Sequence, residues 1–244
     1  MKTNKILLIA ALCFVTAAVC AKKKPEVFDT YTYGKNAQGT TISLKFEKGK
    51  EHNHPLFAVW LADSAGNYIQ TLYVSESVGK GFFRRASRKT GHWQAGEIQR
   101  PATLPYWAHQ RKIINEFSTY LPTPKQPVPD AYTGATPQAS FILTLLTDNK
   151  LCGNYKLFLE VNQSWDWNEF WTNNKFSDDK EYKTSSQPAL IYSADFDTRK
   201  TQGEIQMKPV GRSHHSGSDG NIYTDLQTLT TALKIAKRIT FTVR

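Results

Sequence analysis

Leu56-Phe57-Ala58-Val59-Trp60-Leu61-Ala62-Asp63-Ser64-Ala65-Gly66-Asn67-Tyr68-Ile69-Gln70-Thr71-Leu72-Tyr73-Val74 reads as two β-strands and the turn between them. Leu56–Ala62 and Tyr68–Val74 are apolar runs of strand length, and the five residues that join them are turn formers. Gly66 is predicted to supply the positive backbone angle that closes such a hairpin. The pattern continues on both sides. Val27–Tyr33 and Thr40–Phe46 alternate polar and apolar residues around the turn-rich Gly34–Gly39, which predicts a second hairpin. Downstream, Ser140–Leu146, Tyr155–Asn162, Ala189–Phe196, Ile205–Val210 and Arg238–Val243 predict further strands. Short strands with little helical periodicity make a mainly β chain, folded as an antiparallel β-sandwich.

Two segments depart from this pattern. Asp225 could cap a turn or two of helix through Leu226, Leu229 and Leu233, although β-branched Thr228, Thr230 and Thr231 favour irregular structure there. Between about residues 78 and 139 the strand pattern stops, and seven of the chain's eleven prolines fall between Pro101 and Pro137. A connection that long is either functional or disordered. Its aromatics, Phe82, Phe83, Trp93, Tyr106, Trp107, Phe117, Tyr120 and Tyr132, predict that it packs against the sandwich. The expected organisation is a single β-sandwich domain over residues 22–244 with this proline- and aromatic-rich insertion.

The first 21 residues are laid out as a secretory signal: Lys2 and Lys5, an apolar run from Ile6 to Val19, then small residues up to Ala21. The chain is therefore expected to be periplasmic or otherwise exported. Acylation at Cys20 is disfavoured by Val19 in a position where a lipoprotein signal takes a smaller residue. Cleavage after Ala21 removes Cys13 and Cys20, leaves Cys152 as the only thiol, and lowers the formal charge from +10 to +8. Cys152 is expected to be buried beside Leu151. The basic residues are spread out, apart from Lys22–Lys24 and the group Arg84, Arg85, Arg88 and Lys89. No concentrated stripe or known module supports nucleic-acid binding. An acidic partner, or peripheral association with an anionic membrane, fits the charge better.

Near the end of the insertion stands Asp130-Ala131-Tyr132-Thr133-Gly134-Ala135-Thr136. It resembles the acceptor site at which bacterial flavin transferases join FMN to a threonine through a phosphoester. A transferase that splits FAD must bring the hydroxyl in line with a phosphorus atom beside a metal ion. Small Gly134 and Ala135 would permit that approach, and Gly134 could take unusual backbone angles. The resemblance implies covalent FMN on Thr136, with Asp130, Thr133, Gly134 and Ala135 completing the cofactor-binding segment. The same residues also read as a plain structural turn.

The hairpin from His54 to Leu72, together with Tyr155–Asn162 and Arg238–Val243, resembles the predicted periplasmic family known as domain of unknown function 2271. That resemblance implies an immunoglobulin-like sandwich, export, and association with a flavin transferase and a membrane reductase of PepSY type. It brings no catalytic residues. The expected function is extracytoplasmic electron transfer by a carrier more than a stand-alone enzyme, with Tyr106, Trp107 and Tyr132 as candidate contacts of the flavin ring. The alternative is an envelope accessory protein without cofactor that binds a glycan or a partner.

Other groups are weaker. His52 and His54 would share one face of a strand and are weak metal candidates, to be completed by His109, His214 or His215, but no metal is expected. Trp165, Trp167, Phe170 and Trp171, with Asp166 and Glu169 among them, could stack on a sugar, but core packing accounts for them better. Ser/His/Asp catalysis lacks a Gly-x-Ser-x-Gly elbow.

Overall fold

A computed structural model describes residues 27–35, 38–83, 96–97 and 99–244. The expected leader with Cys20, the clusters Lys22–Lys24 and Arg84–Lys89, and Trp93 lie outside the described residues. In chain order the strands are β1 (Asp29–Tyr33), β2 (Thr41–Lys48), β3 (Leu56–Asp63), β4 (Tyr68–Ser75), β5 (Phe82–Phe83), β6 (Gly96–Glu97) and β7 (Thr133–Gly134). They continue with β8 (Phe141–Leu146), β9 (Asn154–Asn162), β10 (Leu190–Asp197), β11 (Ile205–Gln206), β12 (Lys208–Arg212) and β13 (Ala236–Val243). Short helices α1 (Glu76–Lys80), α2 (Pro105–Gln110) and α3 (Tyr182–Ser185) interrupt them.

The molecule is a mainly β sandwich. One sheet has five strands in the order β1-β8-β2-β13-β11, and the other has six in the order β12-β10-β9-β3-β4-β7. The expected hairpin of β3 and β4 is present, and Gly66 closes it at φ 94°. The other expected hairpin is not. β8 inserts between β1 and β2, pairing parallel with the first and antiparallel with the second. β2 and β8 both alternate buried and half-exposed positions, so side by side they bury one continuous face, whereas β1 has no buried position and sits at the edge. β7 also runs parallel to β4, so both sheets are mixed where a purely antiparallel sandwich was expected.

Between the sheets Ile42, Leu44 and Phe46 of β2 and Phe141, Leu143 and Leu145 of β8 meet Phe57, Val59 and Leu61 of β3 and Leu157, Leu159 and Val161 of β9. The rings of Phe46, Phe141 and Phe57 stack in sequence at 4.8 and 5.2 Å. The opposite face of β3 and β9 is also covered. Ala58, Trp60 and Phe158 pack against Leu104, Tyr106, Trp107, Val128 and Tyr132 of the insertion. The insertion is thus a third layer, which explains why β3 reads as an unbroken apolar run without alternation.

A buried carboxyl group fastens that layer. Helix α2 begins with Pro105, and its N-cap Leu104 has no side chain that can accept a hydrogen bond. Glu160, on the outer face of β9, accepts the amide protons of Tyr106 at 3.1 Å and Trp107 at 2.7 Å instead. Burial pushes the Glu160 carboxyl up to about 8, against the pull of those two donors.

The segment after Asp225 follows its irregular reading, and the expectation for Cys152 is corrected. Asp225 caps no helix; its carboxylate pairs with Arg212 at 2.8 Å, and the segment reaches only a 3-10 turn at Ala232–Lys234. The threonines there hydrogen-bond other side chains, Thr228 accepting from Trp171 and Thr230 from Asn168. Cys152 is exposed, not buried beside Leu151. It stands in the turn before β9, where inward positions begin only at Leu157. A maleimide is accordingly expected to label Cys152 in the folded protein as fast as in urea; protection until unfolding would contradict its exposure.

Candidate functional site

Strand β4 ends at Ser75, α1 follows at once, and the two-residue β7 lies along Val74 and Ser75 as the last strand of the six-stranded sheet. This pairing brings the 130–136 motif against residues 73–82. A 3-10 turn at Asp130–Tyr132 leads the motif into β7. The hydroxyl of Tyr73 donates to the carbonyls of Gly134 at 3.2 Å and Ala135 at 3.1 Å. Burial raises the Tyr73 phenol well above its ordinary range, so it remains a donor.

Gly134 serves a purpose other than the one expected. Its φ is not left-handed; a Cβ there would lie 1.9 Å from the Tyr33 hydroxyl, so glycine is needed for close approach. Tyr33 in turn packs on Tyr73 at 4.8 Å. Ala135 is exposed and Thr136 half-buried. The Thr136 hydroxyl donates to Ser75 Oγ at 3.1 Å, and Ser75 Oγ also accepts the Phe57 amide proton at 3.0 Å. Ser75 is fully buried and is spent on these two bonds, which is why it leaves α1 uncapped. The Asp130 carboxylate, itself exposed, pairs with Lys80 Nζ, which also donates to the Val128 carbonyl. Thr133 contributes its backbone to the pairing with β4.

Beside Thr136 lies a cavity of about 560 Å3, open to solvent, whose walls include His54, Leu56, Glu76, Lys80 and Phe82. Its size falls in the range of small-molecule sites, roughly 300–1,000 Å3. Around Thr136 the wall offers apolar Leu56 and Phe82, the acid Glu76, and Lys80, whose ammonium is held by Asp130.

Tyr106, Trp107 and Tyr132 are not part of this wall, contrary to expectation. All three are buried between the insertion and the sheet. Trp107 donates its indole proton to Thr71 at 3.0 Å, and the Tyr132 hydroxyl bonds Asp148. The wall residues carry no motif, and nothing in the spacing of Glu76, Lys80 and Phe82 ties them to Thr136. Only the pairing of β4 with β7 does.

His52 and His54 do not share a strand face, because they occupy the turn between β2 and β3. His52 is buried against the edge of Phe46 with no partner for either ring nitrogen among the described residues, and burial with Lys48 nearby pushes it down to about 4. His54 is exposed at φ 54° and faces the cavity beside Thr136. His109 is bonded to the Pro105 carbonyl and packs on Tyr120, His214 is held by Ser216, and His215 stacks on Phe176. Among the described residues no three His, Cys, Asp or Glu side chains form a group that could hold a metal ion. Of the tryptophan cluster, Trp171 is buried and Trp167 packs on the main core, whereas Trp165 and Phe170 are exposed. No family model, curated protein or solved structure matches this chain.

Proposed function

We propose that this protein is an exported carrier of covalent FMN, joined by a phosphoester to Thr136, that passes electrons outside the cytoplasm from a PepSY-type membrane reductase to an acceptor. The observation that carries the reading is that Thr136, half-buried at the end of the motif, lines a cavity whose wall also holds Lys80 and apolar side chains. A bound flavin supplies the redox chemistry, and the protein supplies attachment, orientation and a controlled environment. Thr136 Oγ would form the covalent bond, Lys80 would offset phosphate charge by exchanging its Asp130 partner for the phosphate, and Leu56 and Phe82 would cover part of the ring. Ser75 orients the acceptor hydroxyl through their hydrogen bond. β7 pairs with β4 at two positions, and a flavin transferase would also have to release the bonds from Tyr73 to the motif and from Thr136 to Ser75, so attachment before the motif docks is the simpler order.

The test is co-production of the exported chain with a flavin transferase, denaturing electrophoresis, and detection of flavin fluorescence on the polypeptide. Wild type and Thr136→Ser are expected to fluoresce, and Thr136→Val to lose the signal entirely. Fluorescence that survives in Thr136→Val would move the bond elsewhere. A dark wild type beside a successfully flavinylated control protein would favour the second reading, a cofactor-free envelope protein that binds a glycan or a partner. A separate cavity of about 360 Å3 lined by His109, Tyr120 and Asp179, with an aromatic ring beside polar groups, supports that second reading.

A further inference from the structure

The cavity of about 360 Å3 that His109 and Tyr120 line is built from three segments far apart in the sequence: the insertion at 101–121, the turn at 179–181 and the loop at 216–218. The loop is pressed onto the insertion. Gly217 takes φ 74°, and a Cβ there would lie 2.1 Å from the Pro101 carbonyl oxygen; at Gly220 it would lie 2.5 Å from His109 Cβ. The His214 ring holds the loop in shape, since its Nδ1 accepts the Ser216 amide proton at 3.2 Å, with the hydroxyls of Ser216 and Ser218 at 3.0 and 3.1 Å. In the insertion, His109 Nδ1 donates to the Pro105 carbonyl at 2.7 Å, which leaves Nε2 of the neutral ring as an acceptor. The His109 ring packs on Tyr120 at 4.3 Å, and Pro105, Ala108 and Leu121 add apolar surface.

The polar groups of these walls are mostly acceptors. Asp179 brings a carboxylate, as does Glu181, which has an interaction of its own. An Nδ1 that accepts an amide proton carries none itself, so Ser216 and Ser218 donate to His214 and keep their oxygen lone pairs. Among the described lining residues none is Lys or Arg, in a chain of formal charge +10. Cations on neighbouring elements are engaged elsewhere: Lys175 with the Trp171 ring and the Phe170 carbonyl, Arg212 with Asp225, and Arg111 with the Trp107 ring. The Asp179 side chain is only 26% exposed. One of its oxygens accepts the amide protons of Glu181 and Tyr182 at 3.0 Å, and the other lies 3.6 Å from His215 Nε2. That imidazole supplies no countercharge near neutral pH, because burial and the adjoining His214 push it down to about 4. A carboxylate mostly withdrawn from water and without a paired cation favours a ligand that brings one.

We infer that this cavity binds a small organic ammonium ion, its charge on the Asp179 carboxylate and its carbon skeleton against Tyr120 and Leu121. An ammonium has three donors and no acceptor, which suits such walls, and an aromatic ring attracts it further. A sugar hydroxyl also brings lone pairs, for which the walls hold few donors. The volume lies in the range of small-molecule sites. The inference is independent of the flavin reading, because the two cavities share no lining residue. Equilibrium dialysis of the exported protein with radiolabelled putrescine and glucosamine, beside butanediol and glucose as their uncharged counterparts, tests it and separates two carriers of the same group. At neutral pH and low salt at least one amine is expected to bind roughly tenfold or more tightly than its counterpart, and added salt to weaken it. Asp179→Asn keeps an oxygen for the two amides but loses the charge, and is expected to weaken amine binding roughly tenfold. Tyr120→Leu leaves every charge in place and should weaken it roughly threefold. Should Asp179→Asn not fold, Tyr120→Leu and the uncharged probes decide, since neither disturbs the turn at 179–181. The proposal fails if neither amine is retained, if the uncharged probes bind as well as the amines, or if either folded variant binds as wild type does. Glucose retained as well as glucosamine would assign the cavity to a neutral glycan and overturn the proposal.

Discussion

Trp107→Ala is expected to cost about 3–5 kcal/mol of unfolding free energy, the usual range for truncating a fully buried aromatic. Trp107 has no exposed surface, donates its indole proton to Thr71, and packs beneath the Arg111 guanidinium. Its removal opens a void between the insertion and the outer face of the six-stranded sheet, and surrounding side chains refill such voids only in part. A domain of this size has roughly 5–15 kcal/mol of stability in all, so the loss is severe. Urea denaturation followed by tyrosine and tryptophan fluorescence measures it, and limited proteolysis within the insertion reports whether the third layer is released first. Phe117→Ala is the control, since that exposed ring should shift stability by no more than about 0.5 kcal/mol. If both variants unfold at the wild-type midpoint, the insertion does not stabilise the sandwich.

Glu160 governs the second large effect. Its carboxyl is held at about 8 in the fold, above the ordinary 4.5, so the folded state binds the proton more tightly than the unfolded chain does. Stability from this group is complete below about 4.5 and is lost as pH rises through about 8. His52 and His215, both pushed down to about 4 from 6.5, act in the opposite direction and lose their contribution as pH falls from 6.5 towards 4. Between pH 6.5 and 8, Glu160 is the only one of these three whose shift changes stability. The expected loss there is about 1.4 kcal/mol per pH unit at most, or about 2 kcal/mol across the window. At a few degrees per kcal/mol for a chain of this length, the thermal midpoint should fall by roughly 4–8 °C. Glu160→Gln should abolish this fall. It should also lower stability at pH 5 by about 1–3 kcal/mol, because one of the two α2 amides loses its acceptor. An unchanged pH slope in Glu160→Gln, measured by thermal denaturation, would assign the dependence to another group.

The legible parts of the fold are those whose signal is local. β3, β4 and the loop with Gly66 lie within one short segment, and turn chemistry and apolar runs agree there. β1 is different, because its partner Phe141 stands far along the chain from Asp29 and a nearby turn offered a plausible but incorrect neighbour. The motif ending at Thr136 is legible as a motif. The surroundings of that hydroxyl are not, since Ser75, Lys80 and His54 reach it only after β7 docks on β4.

Local alternation along the chain was enough to mark the strand segments and to set the insertion apart, and the insertion's aromatics were enough to predict that it packs on the sandwich. Whether a given aromatic of that insertion becomes core or cavity wall was decided by tertiary packing alone. Phe82 and Trp107 are both large rings in the same proline-rich segment, yet one stands beside the candidate site and the other lies under the third layer with no exposed surface. Burial depends on which surfaces meet across distant parts of the chain, and hydrophobicity, a property of each side chain by itself, says only that such surfaces will be sought.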